Sequence, residues 1–200
     1  VTTRFDNALS VIDTVSDTEI SHVGLHNPEP PSVIAGRQFL YDATLSSSNG
    51  EASCASCHVE GDKDELAWDL GNPDGSVIDN LNPFTVGPFG NADFHPMKGP
   101  MTTQTFRGMD NHGPMHWRGD RSGANVGGDA FDEDLAFMEF NGAFEGLLGN
   151  FGPLQPAQMQ AFTDFVLQIT PPPNPIRALD NSLTPDQQAG SDYYFGPFLS

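Results

Sequence analysis

Apolar positions along the chain fall into two short alternating runs, a long stretch without period, and two helical stripes. Ala8-Leu9-Ser10-Val11-Ile12-Asp13 and Glu19-Ile20-Ser21-His22-Val23-Gly24-Leu25 alternate around Val15-Ser16-Asp17-Thr18, which predicts a β-hairpin between Arg4 and Leu25. Two strands alone are marginal in water, so the hairpin needs a surface to pack on. Asn27-Pro28-Glu29-Pro30-Pro31 reads as an extended linker and a domain boundary, because Pro removes donors and biases its predecessor away from helix. Ser32 is placed to cap a helix running to about Leu45, with Phe39, Leu40 and Ala43 on one side, although Gly36 weakens that helix by ~1 kcal/mol relative to Ala. From Ser46 to Gly128 turn residues recur too often for long elements, with a short helix expected near Asp64 to Asp69. Phe131, Leu135 and Met138 share one helical stripe and Phe137, Phe140 and Phe144 another, interrupted near Gly142 and Gly146. Pro156 to Thr170 is the clearest helix: Phe162, Phe165, Val166 and Ile169 follow one face, and Pro171-Pro172-Pro173 ends it.

Composition changes this picture in two ways. Only 37% of the 200 residues are apolar while Gly and Pro number 21 and 17, so the core is thin and something besides secondary structure must organise the loops. Acids outnumber bases 27 to 8, a formal charge of −19, which repels phosphate backbones and argues against nucleic acid as a partner. No run approaches the ~20 apolar residues of a transmembrane segment. The chain opens at Val1 without a charged and then apolar leader, so it reads as processed or as part of a longer polypeptide.

Cys54-Ala55-Ser56-Cys57-His58 is a C-x-x-C-H sequence, the attachment signature of haem c. Two thiols three positions apart can each add to one porphyrin vinyl group, which leaves the next residue, His58, under the iron as proximal ligand. A redox C-x-x-C is expected near a βαβ pattern, absent here. Structural zinc needs four ligands where only two Cys exist, and a Cys54–Cys57 disulfide would close a very short loop. Haem attachment of this kind belongs to disulfide-permissive compartments, so the protein is expected in the periplasm or outside the cell.

The run from Ala35-Gly36-Arg37-Gln38-Phe39-Leu40-Tyr41 through the haem motif, with Thr103-Gln104-Thr105-Phe106-Arg107-Gly108 and His116-Trp117-Arg118-Gly119-Asp120 after it, resembles the di-haem cytochrome c peroxidase superfamily over residues 33 to 170. In that family a T-x-T-L-R-N and an H-D-G segment shape one haem site. Here Phe106 replaces Leu, Gly108 replaces Asn, and Trp117-Arg118 is inserted between His and Gly. The resemblance implies a mainly α fold, with cytochrome c-like helices around a covalent haem, long loops, and the short N-terminal hairpin in addition. Asn7-Ala8-Leu9-Ser10-Val11-Ile12-Asp13-Thr14 is similar to a blade of the YVTN-type β-propellers fused upstream of such domains. The organisation expected is therefore hairpin and linker at 1–31, cytochrome domain at 32–173, and a C-terminal segment at 174–200.

A low-spin haem takes a second axial ligand, and Met/His ligation raises its potential. Met97, Met101, Met109, Met115 and Met138, with His95, His112 and His116, are the candidates. Met101, in the stiff Lys98-Gly99-Pro100-Met101-Thr102 loop, ranks first, and Met138 follows because the family places a distal Met on the helix after its H-D-G segment. Arg107, Arg118 and Arg121 cluster in an acidic chain, which suits charge-assisted bonds to haem propionates; Asp110, Asp120 and Asp129 are alternative partners. Trp68 and Trp117 are candidates to wall the haem. Asp69, Asp74 and Asp79 suggest Ca²⁺, but they do not fit the EF-hand spacing.

Three functions share this cofactor. The first is an electron carrier serving other haem domains or a redox protein, with a basic partner favoured by the charge. The second is a peroxidase-type oxidoreductase, which would need a second C-x-x-C-H. The third is a haem-stabilised module of an extracellular assembly. Finally, Ala189-Gly190-Ser191-Asp192-Tyr193-Tyr194-Phe195-Gly196-Pro197-Phe198-Leu199-Ser200 repeats the frame of Ala35 to Ser46, which predicts a tandem unit, with a propeller before Arg4 and a second haem domain after Ser200.

Overall fold

The structure, a computed structural model, describes residues 1–83 and 92–196. They form a small mixed arrangement of short helices and short strands in two compact units, 1–170 and 171–200. The last four residues of the Ala189 to Ser200 repeat lie outside the described residues.

The hairpin forms where alternation predicts it. Strands β2 (Ala8–Asp13) and β3 (Thr18–Gly24) pair antiparallel with a register shift between Val11 and Ile12, and β1 (Thr2–Thr3) adds to the free side of β2. Every residue of β3 is exposed, so the sheet offers a largely uncovered face. Arg4 lies over the ring of Tyr41 at 5.1 Å, which ties the sheet to the next helix.

Helix α1 (Pro31–Tyr41) starts on Pro31 and not on a Ser32 cap. Proline suits the first helical position because its missing N–H would be unsatisfied there anyway. The Ser32 hydroxyl donates instead to Gln168 Oε1 at 3.1 Å. The expected single helix to Leu45 is broken at Asp42, whose carboxylate accepts from Thr44 N and caps a separate short helix, α2 (Ala43–Ser46).

The expected helix near Asp64 to Asp69 is a strand. Asp64 accepts from Leu66 N at 3.0 Å and Trp68 Nε1 at 2.9 Å, and Glu65 takes φ +59°, so local side-chain bonding turns the chain before a helix can start. β4 (Ala67–Asp69) then pairs with β5 (Pro100–Thr102), which sets Trp68 opposite Met101.

The Phe-rich segment forms α3 (Glu133–Met138), a 3₁₀ turn (Glu139–Asn141) and α4 (Gly142–Gly146). Of its two stripes the core selects Phe137 and Phe144, both 2% exposed, while Phe131 faces water. Helix α5 (Pro156–Val166) carries Met159, Phe162, Phe165 and Val166 against α1 and α3. Phe137 meets Phe162 edge-on at 5.2 Å and Phe162 meets Phe144 at 6.0 Å, an aromatic cluster that substitutes for aliphatic bulk in a thin core. In the second unit, α6 (Pro185–Phe195) has a capping box from Thr184 and Gln187 and buries none of its residues. Among the described residues no helix is long and apolar enough to cross a membrane.

Candidate functional site

Cys54 and Ser56 bound a single 3₁₀ turn, stabilised by reciprocal bonds between Ser53 and Ser56, and His58 N donates back to Cys54 O at 2.8 Å. This tight turn places Cys54, Cys57 and His58 on the wall of one apolar cavity of about 350 Å³. That volume falls in the range of ligand and cofactor sites, roughly 300–1,000 Å³. Phe137, Phe140, Phe144, Leu147, Leu148 and Phe162 supply apolar wall, and Trp68 and Trp117, both partly exposed, line it as well. The cysteines are not joined to each other. Burial pushes the Cys54 thiol up to about 12 and raises that of Cys57, so Cys54 stays protonated at neutral pH.

The His58 ring is fixed on two sides. Its Nδ1 lies 2.8 Å from the carbonyl oxygen of Gln104, and since a carbonyl only accepts, Nδ1 carries the proton and Nε2 keeps its lone pair. Phe106 stacks on the ring at 3.9 Å and meets Phe137 edge-on at 6.0 Å, which joins the imidazole to the core. Burial pulls the His58 pKa below its ordinary value and favours the neutral ring. Gln104 thus acts through its backbone carbonyl, a role that side-chain chemistry in the sequence does not reveal.

Of the methionines weighed from the sequence, Met101 lines the cavity and Met138 does not. The Met138 sulfur packs against the core, 3.4 Å from Thr163 Oγ1, whose hydroxyl donates to Met159 O at 2.9 Å. Trp117 lines the cavity with its Nε1 donating to Thr102 O at 2.6 Å. Arg107 and Arg118 do not line it. Arg107 pairs with Asp62 at 2.8 Å and donates to Glu60 O, while Arg118 pairs with Asp120 at 2.9 Å, donates to His95 O at 2.7 Å and lies over Phe94. The Asp69 carboxylate closes a turn by accepting from Gly71 N, and Asn72 Oδ1 accepts from Asp74 N in the next one. Among the described residues no three His, Cys, Asp or Glu side chains are grouped to hold a metal ion.

Two further lining residues carry polar groups: Lys98, and His116, one of the histidines weighed from the sequence. Lys98 is half-buried, and burial lowers its pKa while the Asp120 charge opposes that shift. His116 lines the cavity from a turn in which Met115 and Arg121 bridge, and its Nδ1 sits 2.7 Å from Asp120 Oδ1. Asp120 is 1% exposed; burial favours its neutral form, but bonds from His116 and Arg118 and the charge of Arg121 outweigh this and hold the carboxyl well below its usual range. Removing this buried carboxylate takes away the acceptor shared by His116 Nδ1 and Arg118 Nη2. Asp120→Ala is expected to cost about 3 kcal/mol of unfolding free energy, measured by denaturant titration.

The set fits a covalently attached haem on structural grounds. Two thiols and an imidazole with Nε2 left for a ligand line one largely apolar, aromatic-rich cavity.

Compared by sequence, the chain matches no protein-family model and no curated protein. Compared by structure, it is similar to a chain of hydrazine synthase from Kuenenia stuttgartiensis, in a structure pressurised with 20 bar xenon, at TM-score 0.53 and 22% identity over 86% of this chain. The match spans 47% of that other chain, about half its length, and shows that the two share a fold.

Proposed function

We propose that this chain is a haem c domain of a redox protein and that it works as an electron carrier. Cys54 and Cys57 would hold the haem through thioethers and His58 would ligate the iron. Residues 32–173 would form the haem domain, with the hairpin and linker at 1–31 and a separate segment at 174–200. The observation that carries this reading is the shared cavity wall of Cys54, Cys57 and His58, with Gln104 fixing the imidazole in the tautomer a metal needs. The likeness to hydrazine synthase supports a redox or haem-related role.

Bound there, haem supplies a one-electron couple. The chain's own residues orient and shield it: Gln104 and Phe106 hold the ring of His58, and the Phe residues of α3 to α5 exclude water. The anionic surface favours a basic redox partner, and thioether attachment favours a periplasmic or extracellular location. A redox titration of the full chain is expected to show one reversible one-electron couple, with no catalytic consumption of hydrogen peroxide. Rapid peroxide turnover would move the protein to the peroxidase class.

Among the described residues that line the cavity Lys98 is the one Lys or Arg, and Arg107 and Arg118 are bonded elsewhere. In this reading Lys98 would be the lining cation available to the haem carboxylates. Positive charge beside the iron stabilises the reduced state, which is the less positive of the two. Lys98→Gln is therefore expected to lower the midpoint potential while leaving the haem covalently bound; an unchanged potential would assign the carboxylates to another donor.

A further inference from the structure

The same cavity contains a second imidazole that the reading above does not use. His116 lies on its wall with Nδ1 bonded to a carboxylate that is itself buried and pinned by Arg118. We propose that His116, and not a methionine, is the second axial ligand to the haem iron, opposite His58; this rests on the reading of the cavity as a haem c site.

Four observations support it. His116 and His58 each have Nδ1 engaged by an acceptor, a carboxylate in one case and a carbonyl in the other, so in the neutral rings Nε2 is the free nitrogen of both. A ligating His characteristically donates its other N–H to a carboxylate or carbonyl, which fixes the ring and raises its basicity.

The backbone is also held in a form that local preference disfavours. His116 adopts φ +72° and Gly119 φ +66°, with Gly119 N donating to His116 O at 3.0 Å and Met115 N to Arg121 O at 2.7 Å. A positive φ at a non-glycine residue is uncommon, although His reaches it more readily than most, and here hydrogen bonds hold it. Further bonds hold the turn: Ser122 N and Asn125 Nδ2 both donate to the Glu139 carboxylate, and Asn82 Nδ2 donates to Gly119 O. The turn is thereby fastened to the 3₁₀ segment after α3, and Phe140 of that segment meets the His116 ring edge-on at 5.7 Å.

Third, the Met101 backbone is held on both sides: Trp117 Nε1 donates to the carbonyl of the next residue, Thr102, at 2.6 Å. Its strand is further paired with β4, Met101 opposite Trp68. Fourth, Met138 packs against the core and is not among the residues lining the cavity.

Optical and electron paramagnetic resonance spectra of the ferric full chain, loaded with haem, test this. The expected wild-type spectrum is low-spin without the weak long-wavelength sulfur-to-iron band. His116→Gly is expected to lose the low-spin signal while the haem remains on the polypeptide in a denaturing gel, and added imidazole is expected to restore it. Met101→Ala is expected to leave the spectrum unchanged. A sulfur band in the wild type, removed by Met101→Ala, overturns the assignment, and so does a low-spin spectrum that survives His116→Gly. If His116→Gly fails to fold, His116→Met decides: appearance of the sulfur band supports the assignment, and an unaltered spectrum overturns it. Absence of covalent haem from the wild type would instead refute the haem reading itself.

Discussion

Replacing both cysteines, Cys54→Ala with Cys57→Ala, is expected to abolish haem staining of the polypeptide on a denaturing gel and to make any remaining pigment extractable into acidified organic solvent. Covalent retention depends on the thioethers alone, because denaturation removes the hold of His58 and of the Phe wall. Cys57→Ala alone leaves one vinyl unattached and is expected to reduce holoprotein to a small fraction of wild type. The effect extends to the fold. Phe137, Phe144 and Phe162 belong both to the cavity lining and to the core, so a cavity filled with water exposes the residues that hold α3, α4 and α5 together. Burial of a large apolar side chain is worth roughly 1.5–3 kcal/mol, and several are affected at once. The double variant is therefore expected to bind a hydrophobic dye and to lose near-ultraviolet circular dichroism. Colour that stays on the polypeptide without either cysteine would sink the covalent reading.

Features whose signals are local in the chain were legible before the structure. The hairpin follows from strict alternation, and α5 from a 3.6-residue stripe that a proline run terminates. The C-x-x-C-H spacing is local too, three residues within five positions, and the structure sets all three on the wall of one cavity. Elements set by competition were harder to read. Asp64 looks like part of a short helix until its carboxylate takes Leu66 N and Trp68 Nε1. The three clustered arginines look like a propionate cradle, yet Arg107 and Arg118 meet Asp62 and Asp120 at 2.8 and 2.9 Å. Proximity along the chain suggests which charges are neighbours, but not which one is left facing the cavity. His116 is the same case: a histidine among glycines reads as solvated until Asp120, four residues on, is found buried against it.

Gly36→Ala is expected to destabilise the protein strongly, against what helix propensity alone implies. Propensity favours Ala in a helix interior by ~1 kcal/mol. At Gly36, however, an added Cβ falls on the carbonyl oxygen of Ala161 and the Cβ of Phe165, where α1 crosses α5. A carbonyl within a helix cannot rotate aside, so the two helices must separate. Phe39 and Leu40 on α1 and Phe162, Phe165 and Val166 on α5 share the core and would lose contact together. Overpacking of this kind costs about 3 kcal/mol or more, which outweighs the propensity gain. For a chain of this length each kcal/mol lowers the midpoint of thermal unfolding by about 2–4 °C, so a drop of about 6–12 °C is expected in the haem-loaded protein. Gly142→Ala is the control. Its backbone is already helical at φ −64°, ψ −18°, and an added Cβ meets nothing within 4 Å, so the same substitution there is expected to leave the midpoint unchanged or raise it. Equal midpoints for the two variants would mean that the α1–α5 crossing is not what limits stability.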